Sequence, residues 1–287
     1  MILVTGASGT VGSEVVKALG GSGAKVRAGY RSRPQNVPKG LESVALDFDK
    51  PETIRPALAG VDTVFLVSNM VDPERNVVDE AKRAGVTRIV KLSVFGAAEE
   101  GFTFARWHRA VERHIEASGV PWTFLRPTGF MQNFFNYMGE TIRKESAFYS
   151  SSGNGAGAHI DARDIGAVAA RVLTVKGHEG KAYELTGRQA LTYAQAAEIL
   201  SRALGREIRY VPITHEQYKQ GALAAGMPPV YVDALVDLDR YAAAGRMTAV
   251  TPAVRSLTGH DPIRFEQFAQ DYADKFRPWP DEASRDL

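Results

Sequence analysis

The chain has 287 residues, with 35 Lys and Arg against 33 Asp and Glu and a formal charge of +2. That length allows one large domain, or a domain plus a smaller lobe, with room for a sizeable core. The near balance of charge sets aside nucleic acid and anionic membrane surfaces as partners. Cysteine is absent, which excludes disulfides, thiolate metal sites and cysteine nucleophiles and fits a reducing compartment.

The first four residues run directly into a glycine turn without the pattern of a secretory signal, and charges or glycines break every apolar run. No window reaches the roughly 18 apolar residues of a membrane span, so neither export nor membrane insertion is expected, and a cytoplasmic protein is.

Short β-branched runs alternate with helical patterns over the first 130 residues, the signature of βαβ units. Strands are expected at 1–5, 25–30, 42–45, 63–67, 88–93 and 122–126, with helices at 12–20, 51–58, 75–84, 103–118 and 130–144. The strands are nearly continuous in apolar character, as a parallel sheet buried on both faces requires. The Ser- and Gly-rich stretch 150–157 reads as a mobile loop, either a lid or a plain surface connection. Helix 164–173, strand 182–185, helix 193–204, strand 208–211 and helices at about 215–225, 229–244 and 264–276 follow, and the polar residues 278–287 read as a frayed end.

The expected fold class is therefore α/β, a doubly wound parallel sheet over 1–147 with a smaller, mostly helical C-terminal lobe over 148–287. Segments near 158–187 return to the first domain. Open α/β folds place substrates at the carboxyl edge of the sheet, and the lobe is expected to supply the substrate side.

Gly6, Ala7, Ser8, Gly9, Thr10, Val11 and Gly12 follow the first strand and open the first helix, with glycines spaced GxxGxxG. In the Rossmann-type dinucleotide fold one glycine permits the turn, another lets the pyrophosphate reach the backbone, and the last lets helix and strand pack closely. The position directly after an apolar strand gives the motif its specificity. The second strand ends Tyr30, Arg31, Ser32, Arg33 without an acid. An acid there would bind the ribose 2′-hydroxyl, whereas arginine accommodates a 2′-phosphate. NADP(H) should therefore bind better than NAD(H), unless Arg31 and Arg33 are plain surface charge.

Further motifs are Asp47 and Phe48 after the third strand, Phe65 to Ser68, Trp107 and His108 with Glu112, Ser118 to Pro127, Phe130 to Asn133 and Tyr183 to Gly187. With the glycine loop they make the chain resemble the NmrA-like branch of the atypical short-chain dehydrogenase/reductase superfamily, from the loop to about Pro212. The resemblance implies that Asp47 and Phe48 flank adenine, that Val67 and Ser68 line ribose and phosphates, and that Pro127 to Phe130 face the nicotinamide.

Ordinary short-chain dehydrogenases carry a Tyr four residues before a Lys, which lowers the phenol's pKa. None of the ten tyrosines has Lys four residues on, and the helix expected to carry that pair offers Phe104 and His108. His108 and Glu112 share a helix face. The carboxylate could orient the imidazole or raise its pKa, making His108 a general acid or a ribose contact, or the two could form a surface pair without chemistry. No histidine pair has metal-binding spacing.

The aromatics of 130–144 form either a buried helix or a pocket wall for a planar acceptor, with Phe130, Asn133 and Phe134 as substrate contacts. Three functions fit: an NADPH-dependent reductase of a quinone, dye or conjugated aromatic, a non-catalytic NADP(H)-binding redox sensor, or an interaction module with a vestigial loop. The first is preferred, with a small aromatic or quinone-like substrate, no metal, and a homodimer left open.

Overall fold

A computed structural model describes residues 1–32, 41–68, 71 and 73–278. Arg33 and, beyond Pro278, the expected frayed end lie outside the described residues. The chain divides into two compact units, Met1–Pro127 with Ala162–Leu185 and Thr251–His260, and Thr128–Asp161 with Thr186–Val250 and Asp261–Leu287. The first crossing falls at Pro127, twenty residues before the boundary expected from sequence, and the return spans Ala162–Leu185.

In chain order the first unit contributes β1 (Ile2–Val4), α1 (Thr10–Leu19), β2 (Val26–Tyr30), β3 (Glu42–Ala45), α2 (Pro51–Ala57), β4 (Thr63–Leu66), α3 (Glu74–Arg83), β5 (Arg88–Leu92), α4 (Thr103–Ser118) and β6 (Trp122–Pro127). The second unit then supplies α5 (Asn133–Asn136), α6 (Gly139–Glu145), β7 (Ala147–Ser150) and β8 (Ala156–Gly157). Back in the first unit lie α7 (Ala162–Thr174) and β9 (Lys181–Leu185). The rest of the second unit is β10 (Leu191–Thr192), α8 (Tyr193–Leu204), β11 (Arg209–Pro212), α9 (His215–Ala224) and α10 (Pro229–Ala243), then, after α11 (Ala253–Thr258) of the first unit, α12 (Phe265–Asp271) and α13 (Ala273–Phe276).

The first unit is a seven-stranded sheet in the order β3-β2-β1-β4-β5-β6-β9, parallel throughout. That is the Rossmann order with one added strand, and it reverses direction between β1 and β4. Val4 pairs with Ala28 on one side and Phe65 on the other, so all strands end at one carboxyl edge. One face is covered by α2, α3 and α4, whose Ile54, Val77, Val78, Val111 and Ile115 pack with Leu3, Val64 and Ile89 of the strands. At Gly166 of α7 an added Cβ would lie 2.8 Å from the Glu14 backbone of α1. The glycine thus permits the close crossing of these two helices.

In the second unit β7 runs parallel to β11 and β8 antiparallel to β10. Its core is aromatic: Phe134 makes edge-on contacts with Phe148, Tyr193, His159 and Phe265 at 4.8–5.7 Å between ring centres, geometry that suits the ring quadrupole. Two sequence expectations need correction here. The helix expected over 130–144 is broken into α5 and α6, because Phe130 is held in a bridge with Ile160, Met131 donates to the Ile160 carbonyl, and Tyr137 is 77% exposed. The serine stretch is no free loop either: Ser150, Ser151 and Ser152 are buried, and Ser151 donates its hydroxyl (2.5 Å) and its backbone N–H (3.2 Å) to Asp239 of α10. Burial pushes the Asp239 carboxyl up, against the pull of the Ser151 hydrogen bonds. Among the described residues no helix is long and apolar enough to cross a membrane.

Candidate active site

The strand order reverses between β1 and β4, and the glycine loop follows the first of these strands. Thr5 closes the strand by donating its N–H to the Phe65 carbonyl at 3.0 Å. Its hydroxyl donates to the Val67 carbonyl at 2.7 Å and accepts the Val67 N–H at 2.8 Å. Gly6 then takes φ +55°, and a Cβ there would lie 3.0 Å from the Val67 carbonyl oxygen. Ala7 donates to Gly29 and Gly9 to Gly6, which closes the turn.

A Cβ on Gly12 would fall on the Gly6 carbonyl group, so only glycine lets the first turn of α1 rest on the loop. Gly9, at the N-cap, has no side chain to cap the helix, and the first turn, Thr10 to Ser13, contains no acid. The positive end of the helix is thus left for an outside anion. Gly6, Ser8 and Gly9 are exposed and Thr10 half-buried, whereas Val11 is buried in the core and can offer only its backbone.

Arg31 and Ser32 follow the end of β2 and are exposed. Asp47 and Phe48 follow β3: Asp47 is half-buried, accepts the Asp49 N–H at 3.2 Å and lies 3.9 Å from Lys50, while Phe48 packs on the core. Val67 and Ser68 follow β4, and buried Pro127 closes β6, its carbonyl accepting the Phe95 N–H. These candidates therefore share the carboxyl edge of the first unit's sheet.

His108 on α4 departs from expectation. Glu112 does not orient it: its carboxylate accepts Nε and Nη2 of Arg126 at 2.9 and 2.7 Å, and Nη1 of Arg109 at 3.2 Å. Arg126 also reaches Glu184 at 3.2 Å, and Glu184 accepts the Gly96 N–H. A bidentate guanidinium matches a carboxylate better than an imidazole does. The Glu112, Arg126 and Glu184 of the motif set thus tie α4, β6 and β9 together. The histidine pKa is not raised; burial, helped by the charge of Lys91, drives it well below the ordinary value, so the imidazole is neutral at pH 7.

Buried polar atoms without a partner among the described residues include His108 Nδ1 and the hydroxyl of Ser93, directly after β5. Ser93 was not among the site residues expected from sequence; its place at the end of a parallel strand was the available signal for a ligand contact.

The expected substrate residues belong to the second unit. Phe130 and Asn133 are half-buried, whereas Phe134, at 1% exposure, is enclosed by that unit's own aromatics. Its expected role as an open pocket wall is corrected: the ring is already covered.

Comparison with known proteins accords with this arrangement. The chain is 40% identical over 285 residues to the NAD(P)H azoreductase of Xenophilus azovorans, covering 96% of this chain and 99% of that protein. The NADPH complex of the NADPH-dependent quinone oxidoreductase of Escherichia coli superposes with a TM-score of 0.82 at 27% identity, over 95% of this chain and 100% of that one. The Citrobacter triphenylmethane reductase complexed with NADP(H) superposes with a TM-score of 0.80 at 26% identity, over the same shares. The description of the NmrA-like family matches residues 1–262, and the chain belongs to that family.

Proposed function

We propose that the protein is an NADPH-dependent oxidoreductase that passes a hydride to a quinone, dye or other conjugated aromatic acceptor. The observation that carries this reading is the glycine loop between β1 and α1. It leaves exposed backbone and an uncapped helix end where the strand order reverses, which fits a pyrophosphate. Gly6, Ser8, Gly9, Thr10, Gly12 and the backbone of Val11 would hold that group, with Arg31 on the 2′-phosphate, Asp47 and Phe48 beside adenine, and Val67, Ser68 and Pro127 along the rest. NADPH supplies the hydride when bound. The azoreductase, quinone oxidoreductase and triphenylmethane reductase among the similar proteins support the class of acceptor.

The acid chemistry of the site narrows that class. The Tyr and Lys pair is missing from the sequence, and a neutral His108 has no imidazolium proton to give. His108 and Ser93 can each offer a hydrogen bond to a bound ligand. Acceptors whose reduced form is a stabilised anion or a neutral molecule suit such a site, and simple ketones do not. Positioning would supply most of the rate.

NADPH oxidation is followed across quinones, azo dyes, triphenylmethane dyes and aliphatic ketones. Turnover confined to the conjugated acceptors is expected. Turnover of an aliphatic ketone that disappears in His108→Ala would overturn the reading, since it would make His108 an obligatory proton donor.

A further inference from the structure

Lys91 lies on β5, in register with Leu66 of β4 and Phe124 of β6, and its side chain is fully buried. Its ammonium donates to Oε2 of Glu74, the first residue of α3 and equally buried, and to the Leu92 carbonyl at 3.1 Å. The second carboxylate oxygen of Glu74 accepts the Ser68 hydroxyl at 3.0 Å. Burial raises the Glu74 carboxyl, and Lys91 and Ser68 pull it back down.

A buried ion pair adds little net stability, because desolvation offsets the attraction; apolar residues of similar volume hold a core at least as well. The placement of this pair points elsewhere. Ser68 follows Val67, whose N–H and carbonyl both meet the Thr5 hydroxyl, and whose carbonyl lies against Gly6. One chain of contacts runs from Lys91 through Glu74, Ser68, Val67 and Thr5 to the glycine loop.

We propose that Glu74 and Lys91 are positioning residues for the nucleotide site, fixing Ser68 and, through Val67 and Thr5, the glycine turn. The inference rests on the nucleotide reading above. Glu74 supplies the acceptor that holds Ser68, and Lys91 supplies the countercharge that lets a carboxylate stay at that buried position.

Two neutral double variants separate this role from simple packing. Lys91→Met with Glu74→Gln keeps an acceptor for Ser68, whereas Lys91→Met with Glu74→Met removes it. NADPH affinity by fluorescence titration should stay within about threefold of the parent in the first and fall roughly tenfold in the second, the scale of one hydrogen bond, with similar melting temperatures. Equal affinity in both variants at parental level would overturn the proposal.

Hydrogen exchange on nucleotide-free protein provides a second measurement. Ser68→Ala should reduce protection of the Thr5 and Val67 amides, and unchanged protection there would overturn the proposal even if the Glu74→Met chain failed to fold. Absence of NADPH binding in the parent would refute the nucleotide reading, and the exchange result would still decide the positioning role.

Discussion

His159 gives the sharpest quantitative expectation. Its imidazole lies in the aromatic core of the second unit, 5.6 Å from the Phe134 ring and 5.9 Å from that of Tyr193, with the Gly157 carbonyl 3.3 Å from Nδ1. Added Cβ atoms on Gly129 and Gly157 would each lie 3.1 Å from its ring, so the two glycines make room for it. Burial lowers its pKa from 6.5 to about 4, only weakly opposed by the Gly157 carbonyl. The folded protein thus holds the proton less tightly than the unfolded chain. The stability that neutral His159 contributes is complete above pH 6.5 and is lost as the pH falls from 6.5 towards 4. At 1.36 kcal/mol per decade of acidity, that difference is worth about 3 kcal/mol. Urea unfolding of the parent and of His159→Gln, measured from pH 7.5 down to 4, isolates the effect, because every other acid-sensitive group is common to both. The difference in stability between them should shrink or reverse by about 3 kcal/mol across that window. Parallel pH profiles would refute the account and show that the imidazole remains in contact with water.

Gly12→Ala should destabilise the first unit by about 1–3 kcal/mol through overpacking and abolish NADPH binding by calorimetry, because its Cβ would fall on the Gly6 carbonyl group. Gly9→Ala meets only the Gly6 oxygen, at 3.2 Å, and should cost less stability. Arg126→Met leaves the buried Glu112 carboxylate with Arg109 as its remaining cation, and urea unfolding should show a loss of about 3–5 kcal/mol. Arg31→Ala should reduce the preference for NADPH over NADH by about 1.5–3 kcal/mol, the worth of a charge-assisted hydrogen bond, in parallel titrations; an unchanged preference would make Arg31 plain surface charge.

Local pattern and tertiary competition divide the molecule into what could be read from sequence and what could not. The strand at 63–66 and the helices at 103–118 and 193–204 form within a residue of where their patterns place them, because runs buried on both faces and amphipathic stripes are properties of the segment itself. The glycine loop was legible for much the same reason: Gly9 and Gly12 answer contacts only a few residues away, and only Gly6 meets a distant strand end, at Val67. His108 and Glu112 were misjudged because spacing on one helix says which groups can meet, not which partner wins. Arg126 arrives from β6 with a planar fork, and no count along α4 contains it. The aromatics after Phe130 suited both a pocket wall and a core, and Phe148, Tyr193 and Phe265 decided for the core at Phe134. The serine stretch read as a mobile loop, lid or surface connection, and neither reading contained Asp239, an acceptor 88 residues away in sequence. Lys91 shows that some of this information was available. A lysine inside the run Arg88 to Leu92 of a sheet covered on both faces has no direct route to water and needs buried acceptors, and only the fold could name the Glu74 carboxylate and the Leu92 carbonyl as the ones that answer it.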